Sequence, residues 1–163
     1  MSHAIPSTYA TRAALACLVA AGAALSACIP PDDRRPGFWL GASSAEPFAT
    51  DWSFTEAHQE IALEVQTPYW IPHSITIWCV SIAGDLFIAA RDPDTKRWPG
   101  WVAARNKVRL GIGEEVYEGL ATQVSDEDTI ASLRAAYQAK YDLPPRAEGE
   151  GPAMRYWKIT PRG

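Results

Sequence analysis

From residue 60 onward the apolar positions follow two periods, and the change between them marks out the elements. Ile61, Leu63 and Val65 alternate with Glu60, Glu64 and Gln66, the period-two pattern of a strand with one wet face. His73–Val80 is apolar on both faces, with Ile75, Ile77 and Cys79 on one side and Trp78 and Val80 on the other. That pattern predicts a central strand covered twice. Ala83-Gly84-Asp85 supplies a turn and Leu86–Arg91 returns. Lys107–Ile112 alternates charge and apolar residues, and Gly113-Glu114-Glu115 turns the chain into Val116–Val124, where Gly119 predicts a bulge. The period then becomes helical: Ile130, Leu133, Tyr137 and Tyr141 share one stripe. Ser125-Asp126-Glu127-Asp128 gives this helix a cap and an acidic first turn, and Pro144-Pro145 stops it. A polar run, Glu148–Gly151, precedes a closing strand over Met154–Ile159.

The connections between strands are too short for parallel crossovers, so the sheet is expected to be antiparallel. Five to six strands with one substantial helix predict a mainly β, α+β architecture. A small barrel is the economical form, because closing a sheet removes its exposed edges. Between the two central hairpins lies Trp98-Pro99-Gly100-Trp101, read as a tight turn followed by one helical turn over Val102–Arg105. It is preceded by a polar loop, 92–97, that ends in Lys96 and Arg97.

The first 50 residues carry a different pattern. Arg12 precedes an uncharged run, Ala13–Leu25, whose thirteen residues cover about 20 Å as a helix, short of a ~30 Å hydrocarbon core. Such a run ahead of small residues is a secretory signal. Leu25-Ser26-Ala27-Cys28 resembles the bacterial lipoprotein box, which implies that Cys28 becomes the acylated first residue of the mature chain. An ordinary signal peptide that happens to contain a cysteine is the other reading. The expected organisation is a signal peptide over 1–27, a flexible tether over 28–50 rich in proline and small residues, and a barrel domain over 51–163. Phe38, Trp39 and Leu40 in the tether have two possible places, docked on the domain or at the lipid surface. The expected location is the bacterial cell envelope, lipid-anchored and facing the periplasm; by resemblance to enterobacterial lipoprotein sorting rules, Ile29 after the cysteine leans towards the outer membrane.

Composition then removes several function classes. The formal charge is −4, and becomes −5 once Arg12 leaves with the signal peptide, so no basic footprint for nucleic acid exists. The three cysteines, Cys17, Cys28 and Cys79, offer no evident disulfide pair and no Cys-x-x-Cys spacing; Cys79 reads as a small buried hydrophobe. No Ser-His-Asp order, phosphate-binding loop, His-Glu-x-x-His or dinucleotide glycine pattern occurs. No catalytic set and no metal site is assigned. His73 has no carboxylate or cysteine partner close in sequence, and reads as structural before it reads as a general base; His58 carries less still, and Glu114-Glu115 reads as solvated surface.

Several groups together resemble a known family. They are His73-Ser74-x-Thr76-x-Trp78-Cys79-Val80, Gly84-Asp85-Leu86-Phe87, Trp98-Pro99-x-Trp101-Val102, Val116-Tyr117-Glu118 and Tyr137-x-x-Lys140-Tyr141. In this order, over residues 50–160, they resemble a small bacterial branch of the pyridoxamine-phosphate-oxidase-like superfamily, which includes FMN and deazaflavin binders. The resemblance implies a split β-barrel of five to six antiparallel strands with one packed C-terminal helix. It also implies a homodimer, which the two-faced Ile75–Val80 run fits, and a flavin-type cofactor, FMN or a deazaflavin. The chain departs from the deazaflavin-dependent pattern at two points. Tyr69–Ser74 stands where a Gly-Arg-x-x-Gly turn is expected, and Ala103-Ala104-Arg105 replaces an Asn-Leu pair.

The candidate site is therefore Trp98 and Trp101 with Arg91, Lys96, Arg97 and Arg105. Indoles can wall a flat ring system while cations hold an anionic tail, which suits an aromatic anionic small molecule. The other reading has the paired tryptophans plugging one barrel end and the cations solvated. On function, the sequence supports an envelope lipoprotein whose barrel binds such a ligand, with oxidoreductase activity open; the alternative is a cofactor-free barrel kept as a binding or structural module.

Overall fold

The run expected as one strand from His73 to Val80 divides at Trp78, and the division organises the sheet. Tyr137 donates from its hydroxyl to the Trp78 carbonyl (3.3 Å), and the Cys79 amide donates to the Tyr141 hydroxyl (2.9 Å). Helix tyrosines thus take backbone hydrogen bonds that a neighbouring strand would otherwise satisfy. The chain therefore has seven strands: β1 Ile61–Gln66, β2 Pro72–Ile77, β3 Cys79–Ile82, β4 Asp85–Arg91, β5 Lys107–Ile112, β6 Glu115–Gln123 and β7 Met154–Pro161. Two helices join them, α1 Trp98–Ala104 and α2 Glu127–Lys140. The computed structural model describes residues 37, 39–41, 48–145 and 151–162. The signal peptide, Cys28, Phe38 and positions 148–150 of the polar run lie outside the described residues.

Every pairing in the sheet is antiparallel, in the order β2-β1-β5-β6-β7-β4-β3. The two edges of this ladder, β2 and β3, are successive pieces of one run with Trp78 between them. The sheet stays open in its hydrogen bonding while the chain itself links its edges, the arrangement of a split barrel. The mainly β, α+β architecture with one packed C-terminal helix is the expected one, with a strand more than the pattern showed.

Alternation sorts the side chains into two cores. Leu86, Ile88 and Ala90 of β4, Trp157 and Ile159 of β7 and Cys79 of β3 face the interior with Leu63, Val65, Val108 and Leu110. Phe87, Ala89, Tyr156 and Val80 face outward and are covered by Leu133 and Tyr137 of α2. Only this half of the expected two-faced strand is covered twice. On the outer side of β2 Ser74 is buried but Thr76 is exposed, and Trp78, just past the strand, is exposed at 39% and stacked on Tyr141 (4.2 Å, 7° between planes).

Helix α2 starts as expected. The Asp126 carboxylate accepts from the Thr129 amide (2.9 Å) and hydroxyl (2.7 Å), which holds it below the usual carboxylate range. Two expectations differ. Trp98-Pro99-Gly100-Trp101 is the first turn of α1 rather than a free turn, with Trp98 and Val102 buried. Gly119 makes no bulge, since β6 pairs in register with β5 and β7 on either side of it. Its role is space: a Cβ there would stand 2.8 Å from Ile159 Cγ2 and 3.1 Å from the Thr160 carbonyl oxygen. The turn at Ala83-Gly84 is as read, both residues having left-handed φ (52° and 83°).

Candidate functional site: a cationic groove beside the first two strands

On β1 and β5, the side chains that alternate with the core point outward and form one wall. Glu64 and Gln66 come from β1, Lys107 and Arg109 from β5. Arg105 and Asn106 enter from the link after α1, Trp70 from the β1–β2 loop and Arg162 from the end of β7. These residues line an open groove of ≈ 450 Å³, within the range of small-molecule sites.

One side of the groove is internally compensated. Arg109 Nη1 lies 3.0 Å from both Glu64 carboxylate oxygens, and Glu64 is buried rather than on a wet face as its alternation suggested. Glu118 stands 4.0 Å from Arg109 Nε on the next strand and is paired in turn with Arg162. Charges thus alternate across three strands and the residue just past β7. The segment 37–41, expected within a free tether, is held on this side by three hydrogen bonds. Leu40 N donates to Glu64 Oε2 (2.6 Å), Arg109 Nη2 to the Gly41 carbonyl (2.7 Å) and Gly37 N to the Ser74 carbonyl (2.7 Å). A buried carboxylate requires such donors.

The other side keeps its charge. Arg105 Nη1 donates to the Thr67 carbonyl (3.1 Å) and its guanidinium lies 4.3 Å over the Trp70 ring. Among the described residues neither Arg105 nor Lys107 has a carboxylate partner. Trp70 is 72% exposed and sits at φ 66°, a conformation costly for a bulky residue. Its amide bonds the Thr67 carbonyl (3.2 Å), and Thr67 Oγ1 donates to the Ile71 carbonyl (2.6 Å), so the strained loop is pinned. A second exposed indole, Trp39, lies 6.0 Å from the Arg109 guanidinium. Within the wall, Gln66 Nε2 is buried with no hydrogen-bond partner among the described residues. An orphaned donor costs about 1–3 kcal/mol, which a ligand acceptor would recover.

The six residues chosen from the sequence do not converge. Arg105 lines the groove. Trp101 stands one step behind it, edge-on to Tyr69 (6.4 Å) and His73 (5.4 Å). Trp98 packs in the core against Trp157 (4.8 Å) and does not reach the groove. Arg91 is exposed and pairs with Asp92 (3.4 Å); Lys96 and Arg97 are exposed ahead of α1. Glu64, Gln66, Trp70, Lys107, Arg109 and Arg162 were not singled out. The available signal was opposite charges at matching phase in two alternating strands, which acquires meaning only when β1 and β5 are known to pair.

A second cluster joins two of the quoted motifs. Cys79 N and Tyr141 Oη are bonded, and Tyr141 Oη shares its one hydrogen between the Cys79 and Gln59 carbonyls (2.9 Å each). Lys140 Nζ donates to the Thr55 carbonyl (2.9 Å) and lies 3.7 Å from Glu56 Oε1 and 3.9 Å from Cys79 Sγ. Burial pushes the Cys79 thiol up despite the lysine, so the cluster fastens α2 to the barrel rather than activating a nucleophile. Among the described residues no acidic, histidine or cysteine cluster can hold a metal ion, and no helix is long and apolar enough to cross a membrane.

Known proteins share this fold. No family model matches the sequence, and no curated protein matches it. Among solved structures, a candidate pyridoxamine 5'-phosphate oxidase of Listeria innocua superposes with a TM-score of 0.53 at 17% identity, over 66% of this chain and 87% of that one. A conserved hypothetical protein of Mycobacterium tuberculosis gives 0.54 at 15% identity, over 68% and 77%. A protein of unknown function from Agrobacterium tumefaciens gives 0.51 at 14% identity, over 76% and 58%. At such identities the likeness is one of fold.

Proposed function

We propose that this chain, which has the split-barrel fold of the pyridoxamine-phosphate-oxidase-like proteins, is a lipoprotein of the bacterial envelope that binds an aromatic, anionic small molecule in the groove beside β1 and β5. The observation that carries the binding is the conjunction at one wall: Arg105 and Lys107, without carboxylate partners among the described residues, an exposed indole at Trp70, and Gln66 Nε2, buried and without a partner among the same residues. Cations suit a phosphate or carboxylate tail, the indole suits a flat ring, and the amide suits a ring acceptor. A flavin-type group, FMN or a deazaflavin, meets that description. When bound, it would supply electron-pair transfer, while Arg105, Lys107, Gln66 and Trp70 would hold and orient it. The anchor half of the proposal rests on the Cys28 motif, and a homodimer belongs to the same reading.

The test is direct. The mature chain is purified, its visible absorbance and fluorescence are recorded, and FMN and a deazaflavin are titrated in. Binding should weaken at least about tenfold in Arg105→Ala and Lys107→Ala, a charge-assisted contact being worth about 1.5–3 kcal/mol. A colourless chain that binds neither compound sinks the flavin assignment. The second reading, a cofactor-free module, is favoured by the pairing of Arg109 and Arg162 with Glu64 and Glu118, which leaves only half the cationic wall for a ligand.

A further inference from the structure

The four most exposed large apolar side chains among the described residues are Trp39, Tyr69, Trp70 and Ile71, at 59%, 60%, 72% and 63%. Three of them are consecutive, in the loop between β1 and β2. Trp39 lies two residues beyond Gly37, whose amide bonds Ser74 of β2, three residues past Ile71. The loop is built rather than slack. The buried Thr67 ties its two ends, Arg105 covers one face of Trp70, and Tyr69 rests edge-on against Trp101. A strained, pinned conformation that directs three large apolar side chains into solvent requires an occupant for that surface.

We infer that the Tyr69-Trp70-Ile71 loop is the face of the barrel that enters the lipid interface, with Trp39 beside it. The inference rests on the proposed acylation of Cys28. Two observations favour lipid over other occupants. Gly37 follows Cys28 by nine positions, a reach of at most about 30 Å, so an acylated Cys28 would tether β2, the strand that follows this loop, within that distance of the lipid. Tyr and Trp beside an aliphatic residue form the combination that settles at the headgroup boundary, ring above and alkyl below.

The experiment uses the full chain matured in a bacterial host and reconstituted into vesicles of phosphatidylethanolamine and phosphatidylglycerol. An environment-sensitive thiol probe is placed at Ile71→Cys, and for comparison at Asp142→Cys, an exposed position beyond the end of α2. Cys79 is buried and takes no probe, and an acylated Cys28 is blocked. Brominated acyl chains are expected to quench the probe at position 71 about twofold or more, and to leave position 142 nearly unchanged. Equal quenching at both positions, or none at 71, overturns the inference. A shift at 71 that depends on protein concentration and needs no vesicles also overturns it, because a second copy then covers the loop. Failure of the anchor reading shows separately, as labelling of Cys28 in the otherwise unaltered chain. The unacylated chain is then added to the same vesicles. A lipid-dependent shift confined to position 71 upholds the loop, and its absence overturns it.

Discussion

Glu64 and Arg109 face each other across β1 and β5, with the guanidinium 3.0 Å from both carboxylate oxygens and each side chain largely withdrawn from water. The pair also holds the segment at residues 40–41 to the barrel. Removing one partner leaves a buried charge uncompensated, so Arg109→Leu should cost about 3–5 kcal/mol by urea unfolding. The double variant with Glu64→Leu should recover most of that loss. If Arg109→Leu alone unfolds like the unaltered chain, the pair is not buried in solution.

Gly119 is constrained by space and not by backbone conformation. Alanine there would bring Cβ within 2.8 Å of Ile159 Cγ2 and 3.1 Å of a backbone oxygen that cannot rotate away. Gly119→Ala should therefore destabilise the barrel by about 1–3 kcal/mol, read as a lower midpoint of thermal or urea unfolding. A stabilised variant would mean that β6 and β7 are less closely apposed than described.

Trp98 and Arg97 are neighbours in sequence with opposite fates. Trp98 is buried against Trp157, whereas Arg97 is exposed. Trp98→Ala should cost about 3–5 kcal/mol of stability. Arg97→Ala should stay within about 0.5 kcal/mol of the unaltered chain. Denaturation curves of the two variants decide it, and a stable Trp98→Ala chain would remove Trp98 from the core.

The fold was more legible in the sequence than the site, and the reason is range. Alternation in Ile61–Val65, the Ala83-Gly84 turn and the Ile130–Tyr141 stripe are local signals, and each produced its element near the expected boundaries. The break at Trp78 was not legible, because its cause is a pair of hydroxyls about 60 residues further on, at Tyr137 and Tyr141. The groove failed to appear for the same reason. Glu64, Gln66, Lys107 and Arg109 read as a wet face strand by strand, and only the β1–β5 register turns them into one wall. Clustering in sequence selected Arg91, Lys96 and Arg97 instead, which stay in water at the end of β4 and in the loop after it. Trp98 and Trp101, read together as one turn, have different surroundings: the first is buried against Trp157 and the second lies edge-on to Tyr69 and His73.

The tyrosines that interrupt the strand also set a pH limit. Burial raises Tyr137 well above its ordinary value of 10.0, and it raises Tyr141, Tyr156 and the Cys79 thiol, whose ordinary value is 9.0, against the opposing pull of the Cys79 backbone hydrogen bond, Arg134 and Lys140 respectively. In the unfolded chain these groups lose their protons at the ordinary values, so above about pH 9 the folded chain binds more protons than the unfolded one. Stability is then complete at neutral pH and falls as pH rises through 9 and 10 towards the folded values. Tyr137→Phe removes the most deeply buried of these groups along with its hydrogen bonds to the Trp78 and Phe87 carbonyls. It should lower stability by about 1 kcal/mol at neutral pH and make the alkaline fall shallower. Urea midpoints measured from about pH 7 to about pH 11 on both chains provide the check. A fall of equal slope in the two would show that Tyr137 does not titrate late.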